Sequence, residues 1–260
     1  MGGFGQKKKE EKKGSSKKLL RLSEKDLKVQ SINSHIKGNI EEAEKGYIAF
    51  LKNGFSDPDI FSNYALICEE KGERDKAIKL YERCTSNFPN HIFSKLNLSF
   101  LYYKLKDFKK AEIIINDAIK LKPDLANGYC IRGLILKSLD KYKESKFSLE
   151  KAIEIDPKYF DAYINLGLLN KDLNNYSDAE KYYLKAIEIN SKSAVAHLNL
   201  GACYQENKEL EKAISHTKLA IKLDSKLENC HLNLATIYNQ KGEYKQSLLH
   251  VKQELLINAT

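Results

Sequence analysis

The chain has 260 residues, of which 42% are hydrophobic and 30% charged, with a formal net charge of +9. That apolar fraction can build a sizeable core, which excludes a wholly disordered chain. No apolar run approaches the roughly 18 residues that a membrane span requires, and the five cysteines (Cys68, Cys84, Cys130, Cys203 and Cys230) include no C-x-x-C pair that would suggest a zinc or redox centre.

In chain order, residues 1–18 come first. They set Lys7, Lys8, Lys9, Lys12, Lys13, Lys17 and Lys18 against Glu10 and Glu11, a net +5 that leaves only +4 for the other 242 residues. This Gly/Ser/Lys segment is predicted to be a disordered tail that attracts any polyanion weakly and selects none, so nucleic acid is expected to bind only weakly and only there. No apolar stretch resembles a secretory signal, and Gln6 stands where a myristoylation signal needs Ser or Thr. Scattered, odd-numbered cysteines fit a reducing compartment, and the expected location is cytoplasmic.

From Glu24 onward the sequence aligns with itself at a gapless period of 34 residues. A single all-α repeat domain is therefore expected over 19–260, with units 24–57, 58–91, 92–125, 126–159, 160–193, 194–227 and 228–260. The eighth position of each unit holds Ser31, Ala65, Ser99, Gly133, Gly167, Gly201 and Ala235; the twentieth holds Ala43, Ala77, Ala111, Ser145, Ala179, Ala213 and Ser247. All are small, as two closely approaching amphipathic helices of about a dozen residues would need. The fifteenth position carries Gly38, Gly72, Asp140, Asn174 and Gly242, which tolerate the left-handed backbone that ends a helix, with Lys106 and Lys208 as departures. Pro89, Pro123 and Pro157 end units, and branched residues at positions 28 and 30, among them Ile119, Ile153, Leu121 and Ile155, are expected to supply the buried stripe of the second helix.

A 34-residue helix–turn–helix with this pattern resembles the tetratricopeptide repeat, most fully in YINLGLLN (163–170), HLNLGACY (197–204), Asp178-Ala179 and Lys185-Ala186. No tryptophan occupies position 4, and unit 1 has Gln30-Ser31 for the usual Leu-Gly pair, as a capping unit would. The resemblance implies a right-handed superhelical solenoid with the first helices lining an inner wall that binds peptides. The wording HIKGNIEEAEKGYIAFLKNGF followed by DIFSNYALI is similar to the opening of bacterial repeat proteins whose longer relatives continue into sulfotransferase or glycosyltransferase domains. That similarity implies an alternative function, a substrate-recruiting module working with a separate enzyme.

Position 6 faces the inner groove in this family and holds Val29, Asn63, Asn97, Ile131, Asn165, Asn199 and Asn233. An asparagine amide offers one acceptor and two donors, so Asn63, Asn97, Asn165, Asn199 and Asn233 could grip an extended peptide backbone whatever its side chains. The row resembles the asparagine ladder of O-linked N-acetylglucosamine transferases. The carboxylate clamp of chaperone-binding relatives is not matched, because Lys28 and Asn63 fit but Ile32, Phe93 and Asn97 do not. Positions 12 and 13 mix Glu69, Glu70, Lys104, Lys137, Lys171, Asp172 and Glu206, which points to a partner of mixed charge.

His197 and His231, like His216 and His250, stand one repeat apart and are expected to stack in neighbouring units, with no carboxylate completing a metal site. Cys203 and Cys230 read as small apolar fillers, and Asp57-Pro58-Asp59 as turn and N-cap chemistry. There is no P-loop, dinucleotide fingerprint or nucleophile elbow. Leu248, Leu249, Val251, Leu255, Leu256 and Ile257 in the last helix predict an exposed apolar face that could make a homodimer or dock a partner, unless Lys252 and Glu254 solvate it. The expectation is a non-enzymatic scaffold without cofactors or a membrane span, holding a protein or peptide ligand in its groove.

Overall fold

The computed structural model describes residues 23–258, so the lysine-rich tail lies outside the described residues. Fourteen helices and no strand occur among them. They come in pairs: α1 (Glu24–Ile36) and α2 (Ile40–Lys52); α3 (Pro58–Glu70) and α4 (Arg74–Asn87); α5 (Ile92–Lys104) and α6 (Phe108–Leu121); α7 (Ala126–Ser138) and α8 (Tyr142–Ile155); α9 (Phe160–Asp172) and α10 (Tyr176–Ile189); α11 (Ala194–Glu206) and α12 (Leu210–Leu223); α13 (Cys230–Gln240) and α14 (Tyr244–Asn258).

Each pair is held at its closest point by the small residues at positions 8 and 20. Ser99 Oγ donates to the Ala111 carbonyl at 2.9 Å, Ser145 Oγ to Gly133 at 2.7 Å and Ser247 Oγ to Ala235 at 2.8 Å, so a side chain of one helix bonds the backbone of the other. Position 8 has a second duty. A Cβ on Gly133 would lie 2.6 Å from Leu149 Cγ, one on Gly201 2.5 Å from Thr217 Oγ1, and one on Gly167 would enter the Tyr183 ring. The glycine therefore seats the side chain at position 24, sixteen residues later.

The buried stripe of the second helix differs from the expected one. It runs through positions 20, 24 and 27, as in Ala43, Tyr47 and Phe50, or Ala179, Tyr183 and Ala186. That spacing puts all three on the face turned to the first helix. Ile119, Ile153, Ile187 and Ile221 at position 28 are half-buried, and Leu121, Ile189 and Leu223 at position 30 are exposed. These residues lie off the axis of the stripe, where only the next unit can cover them.

Each second helix from α2 to α12 packs on the first helix of the following unit, and from α3 to α13 successive first helices also touch each other. Second helices have no comparable contact with one another. The stack is therefore a helical repeat solenoid in which first helices crowd along one wall and second helices splay along the other, and the inner wall is the first-helix wall.

All seven turns within units use one device. Gly38, Gly72, Lys106, Asp140, Asn174, Lys208 and Gly242 have φ between 58° and 79°. The residue after each donates its N–H back five residues, as in Asp107 to Tyr102 at 2.9 Å and Glu209 to Tyr204 at 2.8 Å. This is the Schellman cap, and the two lysines adopt it despite their Cβ. The left-handed conformation costs an L-residue about 1–2 kcal/mol, whereas glycine adds about 0.4–1 kcal/mol of unfolded-state entropy, so relief of strain wins. Lys106→Gly and Lys208→Gly are each expected to stabilise the protein by about 0.5 kcal/mol, measured as a higher denaturation midpoint in urea; a lower midpoint would show that the lysine side chains contribute more than the strain costs.

Candidate peptide-binding groove

Asn63, Asn97, Asn165, Asn199 and Asn233 stand on α3, α5, α9, α11 and α13 and are all half-buried. The row is interrupted at α7 by Ile131, which is buried. Its members are not equivalent. Asn63 and Asn97 lie beside the hydroxyls of Tyr47 and Tyr81, the position-24 residues of the preceding units, whose hydrogen bonds go to His35 Nδ1 and to Glu69, each at 2.9 Å. Burial pushes the Tyr47 phenol up to about 12, and the Asn63 amide pulls partly against that shift. Asn165 donates through Nδ2 to Cys130 Sγ at 3.3 Å. Asn199 and Asn233 make no side-chain hydrogen bond among the described residues, and the Tyr183 hydroxyl, in register with Asn199, is buried without a partner.

A second row lies three residues further along the same helices. Position 9 holds Ile32, Leu66, Phe100, Leu134 and Leu168, half-buried or exposed, and sequence reasoning passed over it. The signal was available, because five consecutive units repeat an apolar residue there, on a face that a solvated helix would make polar.

The two rows line two concavities. One of about 350 Å³ includes Ile32, Asp59, Asn63, Leu66 and Phe93; the other, of about 430 Å³, includes Phe100, Ile131, Leu134, Ile164 and Asn165; Asn97 belongs to both. A larger crevice of about 690 Å³ opens on the opposite wall between α4 and α6, above α5. There Lys95, which replaces the aromatic residues of other units, is buried and ion-paired with Asp117. That crevice contains none of the asparagines.

The mixed charges of the inner wall pair mostly with one another. Lys104 bonds Glu69 at 3.2 Å and Lys137 bonds Asp172, each across neighbouring units, while Glu69 also accepts from the Tyr81 hydroxyl at 2.9 Å. The expectation of a mixed-charge partner, drawn from those residues, loses this footing. Lys28 is likewise engaged, with Asp57 and with Asp59 at 3.1 Å. Asp57 caps α3 by accepting from the N–H groups of Asp59 and Ile60 at 3.0 and 3.2 Å.

The histidines are paired differently from the expectation. His197 meets His216 and His231 meets His250, each within one unit, with Nδ1–Nδ1 distances of 3.0 Å. Positions 4 and 23 face each other across the helix pair, which is why the partners are 19 residues apart and not 34. Ring centroids are 5.3 and 5.2 Å apart with interplanar angles of 22° and 23°, so the nitrogens meet head-on. A metal at about 2.0–2.1 Å from each nitrogen would need them about 4 Å apart in this arrangement, whereas 3.0 Å suits one shared hydrogen. All five cysteines are buried; burial raises Cys68, Cys203 and Cys230 to about 11 and Cys130 to about 12, leaving inert thiols that pack.

At the C-terminal end Leu255 and Leu256 are 64% and 69% exposed, and Leu248 and Leu249 are also uncovered. Glu254 does not solvate this face. It is buried and accepts from the Asn229 N–H at 3.1 Å, at the start of α13.

Burial and the neighbouring His197 and Lys212 hold His216 below its ordinary value against the pull of Glu180, with Tyr204 packed on the ring. Burial, His231 and Lys218 do the same to His250 against its hydrogen bond with Gln253, with Tyr238 on the ring. A histidine depressed in the fold takes its proton more readily in the unfolded chain, so stability is lost as pH falls below about 6.5 and is unaffected above it. The thermal midpoint is expected to drop between pH 7 and pH 5, above the carboxylate range, and His216→Gln with His250→Gln should flatten that slope; an unchanged slope in the variant would contradict the assignment.

Tetratricopeptide repeat models match residues 58–91, 94–125, 126–159, 160–193 and 182–215. A tetratricopeptide repeat protein from Parabacteroides merdae has 19% identity and a TM-score of 0.75, with 90% of this chain and 93% of that one covered. PilW, a type IV pilus biogenesis factor, has 20% identity and a TM-score of 0.69 over 75% of this chain and 91% of its own. YrrB, described as a TPR protein with an unusual peptide-binding site, has 20% identity and a TM-score of 0.50 over 68% and 91%. No curated protein sequence matches. No helix among the described residues is long and apolar enough to cross a membrane. Repeat models that tile more than half of the sequence, on a stack of two-helix units with a common turn, place the chain in the tetratricopeptide repeat family.

Proposed function

We propose that this chain is a non-enzymatic, cytoplasmic scaffold that holds an extended segment of a partner protein along the wall formed by its first helices. The observation that carries this reading is the pair of parallel rows on that wall, amides at position 6 and apolar side chains at position 9. An extended backbone needs donors and acceptors at regular intervals, and its side chains need apolar surface between them. The unbonded amides of Asn199 and Asn233 support the reading most directly, since a structural role would have given them partners. The peptide-binding site named for YrrB, on a similar fold, is consistent with it.

Each amide contact nets about 0.5–1.5 kcal/mol, so affinity is expected to be micromolar or weaker. The asparagines also divide by consequence. Asn63→Ala and Asn97→Ala remove amides beside buried tyrosine hydroxyls that keep His35 and Glu69 as partners, and should cost about 0.5 kcal/mol of stability each, whereas Asn199→Ala with Asn233→Ala should cost little. Proteins captured from native lysate by the wild type should be reduced by the Asn199/Asn233 double variant and lost when all five asparagines are alanine, with helicity kept. Undiminished capture by the five-fold variant would count against the groove.

A further inference from the structure

The inner wall carries two carboxylates at position 2 of units 2 and 5, and they are in opposite states. Asp59, in the first concavity, is ion-paired at 3.1 Å with Lys28, which it shares with Asp57, and faces His91 at 3.7 Å. Asp161, in the first turn of α9, lines the second concavity and is exposed, and it makes no ion pair or side-chain hydrogen bond among the described residues. No lysine or arginine lines that cavity; Lys104 lies 4.8 Å from the Phe100 ring centroid at its edge but is bonded to Glu69.

The remaining lining suits a long cation. Ile131, Leu134 and Ile164 offer apolar surface for an alkyl stem. Asn165 gives Nδ2 to Cys130 Sγ, which leaves Oδ1 to accept, and Asn127 Oδ1 accepts only the long 3.3 Å bond from the Tyr159 hydroxyl. The cavity thus has two amide oxygens and a carboxylate around an aliphatic floor, and no cation of its own.

We propose that this cavity anchors a lysine or arginine side chain of the bound segment, with its stem on Ile131, Leu134 and Ile164 and its charged end at Asp161 and Asn165 Oδ1. The first concavity, where Asp59 is already paired, takes an apolar side chain against Ile32, Leu66 and Phe93, and Asn97 lies under the backbone between the two. The partner segment is therefore an extended peptide with one apolar and one basic anchor. This proposal rests on the groove reading above.

The test uses an array of acetylated, amidated nonapeptides with random flanks and one fixed central residue, incubated with the full chain as wild type, Asp161→Asn and Asp59→Asn. Wild type should retain central Arg or Lys peptides at least tenfold over central Glu peptides. Asp161→Asn should bring that ratio within about twofold while keeping the preference for apolar residues elsewhere, and Asp59→Asn should leave it intact. A helix-stabilising role for Asp161 would move the thermal midpoint and not the ratio. The proposal is overturned if Asp161→Asn keeps the basic preference, or if wild type binds apolar peptides with no such preference. Retention of no peptide by the wild type would overturn the groove reading itself.

Discussion

Two helices cannot pack this closely unless something small stands between them, and that constraint recurs in all seven units. Small residues at positions 8 and 20 let the backbones approach until serine hydroxyls reach carbonyls across the gap. The residue at position 24 then fills the space above position 8, as Leu149 does at Gly133 and Tyr183 at Gly167. Everything that the inner wall presents follows from this contact. It fixes the rotation of each first helix, and with it which positions face inward.

The same geometry links core and groove chemically. A tyrosine at position 24 has an apolar ring suited to the core and a hydroxyl that must find a partner. In units 1 and 2 that hydroxyl bonds His35 or Glu69 and lies beside the position-6 asparagine of the following unit. An asparagine in this place can therefore complete a core and face a ligand, and only its remaining lone pairs and protons are open to a partner. Asn165 meets a thiol instead, because Leu149 stands where a tyrosine would be. The row looks uniform in sequence and is graded in structure, with its most open members at α11 and α13.

Much of the fold is legible in the sequence, because a period of 34 needs no structure to be seen and the small residues at 8 and 20 mark helix contact by themselves. The left-handed corners were legible where glycine, asparagine or aspartate occupied them. They were not at Lys106 and Lys208, since a cap enforced by seven-fold stacking overrides local preference. Branched residues at positions 28 and 30 suggest the buried stripe by type, whereas alanines at 20 and 27 do the closest packing. The histidine pairs failed for a related reason: period 34 relates equivalent residues, not touching ones, and contact across the helix pair joins positions 4 and 23. In the groove, asparagines are chemically conspicuous in a sequence and the plain aliphatic row beside them is not, and Asp161 stands out only through the pairing in space of most other wall charges.

The central claim is that the first-helix wall is the working surface. Hydrogen–deuterium exchange of the chain alone and with a captured partner tests it most directly, because each helix reports separately on cover and opening. The account predicts added protection on α3, α5, α7, α9, α11 and α13, with α4, α6, α8 and α10 unchanged. Protection confined to those second helices, or to α14 alone, would contradict it.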